Sequence, residues 1–271
     1  VTDRGARHGF RGVGHEFVER TKYRSLGPSD QARGLPEPPV QKELPPQRHS
    51  TGLPDPRSAR VAPLDFTRAV AERASVRRYS REPLALEELS YLLWCTQGVR
   101  TASGRPNLRT VPSAGARHAL DTYLVVNRVA GLEPGLYLYR PVEHGLAALD
   151  PDPAVVDRVM AACFGQYVAQ AAVTFVWVAD VYRMTWRYGE RGYRYLFLDA
   201  GHVCQNLYLA VQAVGAGCCA IGAFDDDELA LAIGVDGSGE IPVYAATVGK
   251  LRGEVGALED TVTRSGGPRP E

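Results

Sequence analysis

Cysteine is sparse in this chain and shows no pairing pattern. Its 271 residues hold five, Cys95, Cys163, Cys204, Cys218 and Cys219. The count is odd, no C-x-x-C occurs, and the adjacent pair cannot easily bridge itself. A disulfide framework and a zinc site are thereby excluded, and a reducing compartment is expected. Net charge is missing too, since Lys+Arg and Asp+Glu both number 31. No global field then recruits nucleic acid or an anionic membrane. No apolar run approaches the ~20 residues needed to span a bilayer, and no charged-then-apolar signal segment is evident. The expectation is a cytoplasmic protein with neither nucleic acid nor membrane as partner. There is also no G-x-G-x-x-G after a strand and no P-loop, so dinucleotide and triphosphate fingerprints do not apply. No Ser/His/Asp order and no paired carboxylates stand out, and no metal is expected.

Apolar residues are not scarce. At 45% hydrophobic, the chain can bury a sizeable core. Residues 1–60 stand apart, with Pro28, Pro36, Pro38, Pro39, Pro45, Pro46, Pro54 and Pro56. Proline at this density forbids helix and sheet interior and favours an extended path. Two readings stay open: a disordered tail, or an arm laid over a partner subunit. Within it only His15–Tyr23 looks capable of a short helix. Residues 61–255 read as the folded domain and 256–271 as a C-terminal tail.

Within the domain, Leu64–Ala74, Leu86–Thr96, Pro153–Ala162 and Asp225–Ile233 read as helices. Thr122–Asn127, Leu136–Tyr139, Ala171–Ala179 and Val243–Val248 read as strands. The longest helix, Tyr193–Val214, has Leu196, Ala200, Val203, Leu207, Ala210 and Val214 on one apolar face. A second face carries Phe197, Gly201, Cys204, Tyr208 and Val211. Two apolar faces imply burial or a subunit interface. Strands and helices alternate without a βαβ repeat, so the class is α+β.

Four short segments could carry chemistry. In Arg73-Ala74-Ser75-Val76-Arg77, guanidiniums flank a hydroxyl where a helix gives way, which suits one phosphate; alone, such a string is more often a solvated run. Next, Arg109 and Thr110 lead into Val111-Pro112-Ser113-Ala114-Gly115-Ala116, whose small residues let a flat ring approach the backbone. In Gly217–Phe224, small residues with Gly222 could present backbone N–H groups to an acceptor. Lys250 and Arg252 add a late cationic pair. Cys218 and Cys219 read as small buried residues, and His118 and His202 as structural histidines.

Taken in this order, the four segments resemble the flavin-dependent nitroreductase superfamily across about residues 64–252. The resemblance implies an α+β fold with a central, mostly antiparallel sheet flanked by helices. It further implies an intertwined homodimer binding FMN at its interface. Arg73, Ser75 and Arg77 would contact the FMN phosphate and ribityl chain, with Arg109, Lys250 and Arg252 adding positive charge. Pro112, Ser113, Ala114 and Gly115 would face the isoalloxazine of the partner's site, and Ile221 and Gly222, next to Ala223, would offer N–H groups near flavin N5 and O4.

The segment Trp186–Leu207 and His15–Lys22 are similar to the SagB-type branch, dehydrogenases that oxidise thiazolines and oxazolines in ribosomal peptides. A Lys-Tyr pair supports proton removal in that branch, and its counterpart here is Arg187-Tyr188. Tyr188 survives, but a guanidinium stays charged and is a poor general base. The resemblance implies a modified-peptide or small-molecule substrate, with cyclising and recognition proteins as further partners. Two other activities stay open: an NAD(P)H-dependent nitro- or quinone reductase, and a catalytically silent flavin-binding partner of a biosynthetic complex.

Overall fold

The computed structural model describes residues 12–45, 48, 50–100 and 108–252. The first eleven residues of the arm, Pro46, the domain's last three positions and the C-terminal tail lie outside the described residues.

Seven strands form one sheet: β1 (Thr51–Gly52), β2 (Leu120–Val126), β3 (Gly135–Arg140), β4 (Gly145–Asp150), β5 (Val173–Asp180), β6 (Ala216–Ile221) and β7 (Glu240–Lys250). Their spatial order is β1-β4-β3-β2-β5-β7-β6, and every neighbouring pair is antiparallel. Helices cover both faces: α1 (Val13–Arg20), α2 (Phe66–Glu72), α3 (Leu86–Gln97), α4 (Val155–Ala162), α5 (Val181–Tyr188), α6 (Gly192–Ala213) and α7 (Asp226–Ile233). The expected α+β class with an antiparallel sheet is what the chain forms.

Strand β5 shows why a central strand reads as one apolar run. Phe175 and Trp177 enter the core with Leu89 and Leu93 of α3 and Leu196, Val203 and Leu207 of α6. Their neighbours Val176 and Val178 enter the opposite core with Val155 and Val159 of α4 and Leu229 and Ile233 of α7. Strands β1, β4 and β6 and helix α5 were not expected from the pattern. Helix α6 buries one full face as anticipated. On its second face Cys204 and Val211 are buried, while Phe197 and Gly201 are exposed.

The described part of the arm lies against its own chain. The Gln31 amide donates to the Trp186 carbonyl at 2.8 Å, and Trp186 Nε1 donates to the Leu35 carbonyl at 3.0 Å. Lys42 pairs with Glu240, and Thr51–Gly52 adds to β4 as an edge strand. Proline leaves this stretch few bonds of its own, so its backbone polar groups find partners on the domain.

Candidate active site

The first candidate segment lies along the outer edge of β6. Asp65 caps α2 by accepting from the Arg68 amide at 2.8 Å, and Arg73 closes that helix. The chain then bridges Ser75 to Cys218, with the Val76 amide donating to the Cys218 carbonyl at 2.9 Å. Close approach depends on two glycines in ordinary backbone conformation. A Cβ on Gly217 would stand 2.6 Å from Val76 Cβ, and one on Gly249 would stand 2.7 Å from Tyr79 Cγ.

Tyr208 of α6 organises this edge. Its hydroxyl accepts from the Ala220 amide at 2.9 Å and shares a 2.9 Å hydrogen bond with Ser75 Oγ. The Arg73 guanidinium lies 5.3 Å from the centre of its ring. Arg77 makes one long contact, 3.4 Å to the Ser75 carbonyl. Among the described residues, neither Arg73 nor Arg77 forms an ion pair with a carboxylate. Two unneutralised guanidiniums and a hydroxyl on one short segment constitute a donor set for an anion.

The other expected cations divide. Arg252 stays with this segment, donating from Nε to the Tyr79 carbonyl at 3.0 Å. Lys250 is engaged elsewhere, 2.5 Å from Glu88 Oε1 and 2.7 Å from the Val214 carbonyl. Glu88 is held in turn by accepting from the Ala85 amide at 2.9 Å. Arg109 does not join the Arg73–Arg77 segment. It is buried, donating to Gln97 Oε1 at 3.1 Å and to the Val40 carbonyl at 2.7 Å. Burial depresses its guanidinium to about 10. Its charge faces the interior, where the arm and α3 need a donor.

The second cluster forms where the turn before β2 meets the junction of α5 and α6. Ser113 Oγ accepts from the His118 amide at 2.8 Å, and Pro112 is exposed beside it. The Ala114 amide donates to Asp199 Oδ1 at 3.2 Å. Burial pushes the Asp199 carboxyl above its usual range, partly opposed by hydrogen bonds from Ser113 and Ala114. Gly115 adopts φ +57, ψ 23, a left-handed conformation that glycine tolerates best. A Cβ there would lie 2.4 Å from Tyr188 Oη and 2.9 Å from Arg187 Nε. The turn therefore seats against Arg187-Tyr188 of its own chain. Arg187 is exposed, Tyr188 half-buried, and the Tyr188 ring packs edge-to-face with Tyr195 at 4.8 Å.

Of the third segment, Gly217–Ile221 is strand rather than loop. Ile221 is buried in the second core, and only Gly222 and Ala223 emerge exposed. Burial raises both thiols, Cys218 well above its ordinary value and Cys219 less, which leaves them unreactive. His118 is buried, whereas His202 is exposed and its Nδ1 stands 4.0 Å from Asp199. Among the described residues no cluster could hold a metal ion, and no helix is long and apolar enough to cross a membrane.

Two organising residues escaped the sequence reading, Tyr208 and Asp199. In the sequence Tyr208 counts only as part of the second apolar face of α6, where its hydroxyl is the available signal, and Asp199 is a carboxylate set among the apolar residues of that helix.

An antiparallel sheet covered on both faces, with a cationic segment at its edge and an arginine-tyrosine pair at the end of α5, is an α+β architecture. The chain belongs to the nitroreductase family, whose profile matches residues 70–250. MJ1384 of Methanocaldococcus jannaschii, named as a nitroreductase, is 38% identical over 158 residues, covering 58% of this chain and 78% of that protein. The trifolitoxin-processing protein TfxB of Rhizobium leguminosarum bv. trifolii is 32% identical over 126 residues, 42% of this chain and 32% of TfxB. Among solved structures, a protein of Anabaena variabilis described as a nitroreductase is 31% identical with a TM-score of 0.59, covering 68% of this chain and 37% of the other. A chain of the Escherichia coli microcin synthetase McbBCD complex shares the fold, with a TM-score of 0.56 at 17% identity over 88% of this chain and 86% of that one. This chain thus spans about a third of the length of TfxB and of the Anabaena chain.

Proposed function

We propose that this nitroreductase-family oxidoreductase is an FMN-dependent dehydrogenase of the SagB type, oxidising thiazoline or oxazoline rings of a modified peptide. The observation that carries the reading is the pairing of two sites linked by α6. Among the described residues, Arg73 and Arg77 flank Ser75 without a carboxylate partner, and the Ser113–Gly115 turn is fitted to Arg187-Tyr188. The donor set suits one phosphate, and exposed Gly222 and Ala223 leave room for a flat ring against backbone. FMN, when bound, supplies a two-electron acceptor for hydride.

The chain's own residues do the rest. Arg73, Arg77 and Arg252 hold the phosphate with Ser75, and Lys250 joins them only by leaving Glu88. Pro112, Ser113, Ala114 and Gly115 shape one wall, with Asp199 holding the Ala114 amide. Ile221, Gly222 and Ala223 shape another. A tyrosine phenol at the Arg187-Tyr188 end accepts the proton lost by the substrate, Tyr188 being the residue the family resemblance nominates. Arg187 remains charged and steadies a phenolate rather than acting as base.

A homodimer is part of the proposal. Phe197 and Leu198 are 54% and 58% exposed, Gly201 faces open space, and Phe66 of α2 is also exposed. Apolar surface of this kind needs a cover. Cyclising and recognition proteins of the same pathway would be further partners, a reading that the name of TfxB supports. The names of MJ1384 and the Anabaena protein favour a second activity, NAD(P)H-driven reduction of nitro or quinone compounds. Mass spectrometry of azoline peptides incubated with the flavin-loaded protein tests the choice. Loss of two hydrogens per ring is expected. Unchanged peptides together with rapid bleaching of the flavin by NAD(P)H would establish the reductase instead.

A further inference from the structure

Beside the Arg187-Tyr188 turn stands a second phenol with unusual surroundings. Tyr195 Oη accepts from Arg191 Nε at 2.8 Å and shares a 2.9 Å hydrogen bond with Tyr23 Oη. Tyr23 belongs to the arm, just after α1. The Arg191 guanidinium is stacked 4.2 Å from the centre of the Tyr23 ring and donates from Nη1 to the Thr21 carbonyl at 2.9 Å. Arg194 adds a second clamp, from Nε to Thr21 Oγ1 at 2.6 Å and from Nη2 to the Val18 carbonyl at 2.5 Å. Four hydrogen bonds and one ring stack thus fasten the arm to the start of α6, and Tyr23 and Arg191 meet at the oxygen of Tyr195.

We propose that Tyr195 is the phenol that accepts the substrate's proton, and that Tyr23 and Arg191 make it able to do so. The inference rests on the dehydrogenase reading. A phenol oxygen holding a guanidinium N–H and a neighbouring O–H has donors for the charge it gains on ionising. Burial pushes Tyr195 upward, but the bonds from Tyr23 and Arg191 outweigh it and leave the phenol below its ordinary value, with Tyr23 raised in exchange. Its charged neighbours include Arg191, just before α6, and Arg194 on that helix, both of which lower it, while Asp199 lies one turn further along α6 and Arg187 stands on α5 beside Tyr188. Tyr188, edge-to-face at 4.8 Å, orients the phenol ring.

In the step itself, one ring C–H bond breaks and its proton passes to the Tyr195 phenolate. FMN, when bound, would supply the two-electron oxidant that takes the adjacent hydrogen as hydride, and the two electrons of the first C–H bond would form the new double bond. On this account the arm is part of the catalytic apparatus, through Tyr23.

The test is an NMR titration of the full chain as purified, carrying tyrosine isotope-labelled at the ring carbon that bears oxygen. Tyr195→Phe identifies the signal. It is expected to titrate below ordinary tyrosine in the wild type and to move upward in Tyr23→Phe. A Tyr195 signal in the ordinary range would overturn the proposal. With azoline peptide, Tyr195→Phe should lose about 10²–10⁴-fold in turnover. The acid limb of the pH–rate profile should move upward in Tyr23→Phe, in step with the NMR shift. A limb that stays in place while the signal moves would also overturn it. If no peptide loses hydrogen while Tyr195 titrates low, the dehydrogenase reading fails, and the role of Tyr195 in it, though the acidic phenol stands.

Discussion

Gly115→Ala probes whether the turn before β2 is fitted to the tyrosine-arginine end of the site. The added methyl carbon would lie 2.4 Å from Tyr188 Oη, and ordinary contact begins near 3.4 Å. The phenol must therefore retreat by about 1 Å, the scale at which a misplaced group can cost about 10²-fold in rate. Arg187 Nε, at 2.9 Å, must give way as well. The backbone adds its own cost. A φ of +57 in a residue with Cβ costs about 1–2 kcal/mol, or roughly 2–8 °C of melting temperature for a chain of this size. Both moving groups are ends of flexible side chains, so the protein should stay folded while turnover drops. Calorimetry gives the first quantity and single-turnover flavin reduction by substrate the second. A double-mutant cycle separates them, because Tyr188→Phe deletes the oxygen that the methyl meets. The rate penalty of Gly115→Ala should shrink in that background. Wild-type turnover in the single variant, at the expected loss of stability, would refute the fit between turn and tyrosine.

Three further outcomes are expected. Arg73→Ala or Arg77→Ala should weaken FMN binding by about 10–100-fold, the worth of one hydrogen bond to a charged group, as read by quenching of flavin fluorescence. Gly249→Ala forces a methyl against the Tyr79 ring stem and should cost about 1–3 kcal/mol in urea unfolding, where no change would mean that the segment is free to shift. Asp199 is raised in the folded chain, chiefly by burial. Its contribution to stability is therefore complete below the ordinary carboxylate range and is lost as pH rises through the raised value. Asp199→Asn, which stays neutral and can still accept from Ala114, should flatten that decline in melting temperature; Asp199→Ala should lower it at every pH by unpairing the amide.

Much of the fold was legible because β5 and α6 announce themselves. Val173–Asp180 is apolar on both faces, and α6 repeats Leu196, Ala200, Val203 and Leu207 at helical spacing. Helix α5 was not legible. Its inward side includes Arg183, which is 1% exposed and paired with Asp121 at 3.1 Å across 62 positions. No local pattern displays such a bond. Strand β6 hid in a run of glycine, alanine and cysteine that reads as loop by propensity; its neighbours β7 and Val76 make it a strand. The site was legible as a set of segments but not as an arrangement. In the sequence Arg109 and Lys250 count among the phosphate cations, and the structure engages them with Gln97 and Val40, and with Glu88 and Val214. Tyr23 meets Tyr195 across 172 positions, beyond the reach of any motif.

The bridge between Ser75 and Cys218 has a bearing on how the protein survives in a cell. Strand β6 ends the sheet, and its residues Ala216–Ile221 are small, mostly buried and uncharged. Left bare, such an edge would recruit strands from other molecules. What covers it is the stretch that carries Arg73, Ser75 and Arg77. On the proposed FMN reading, a phosphate drawn to those residues would also fasten the cover, and yield of soluble protein would follow flavin supply during expression.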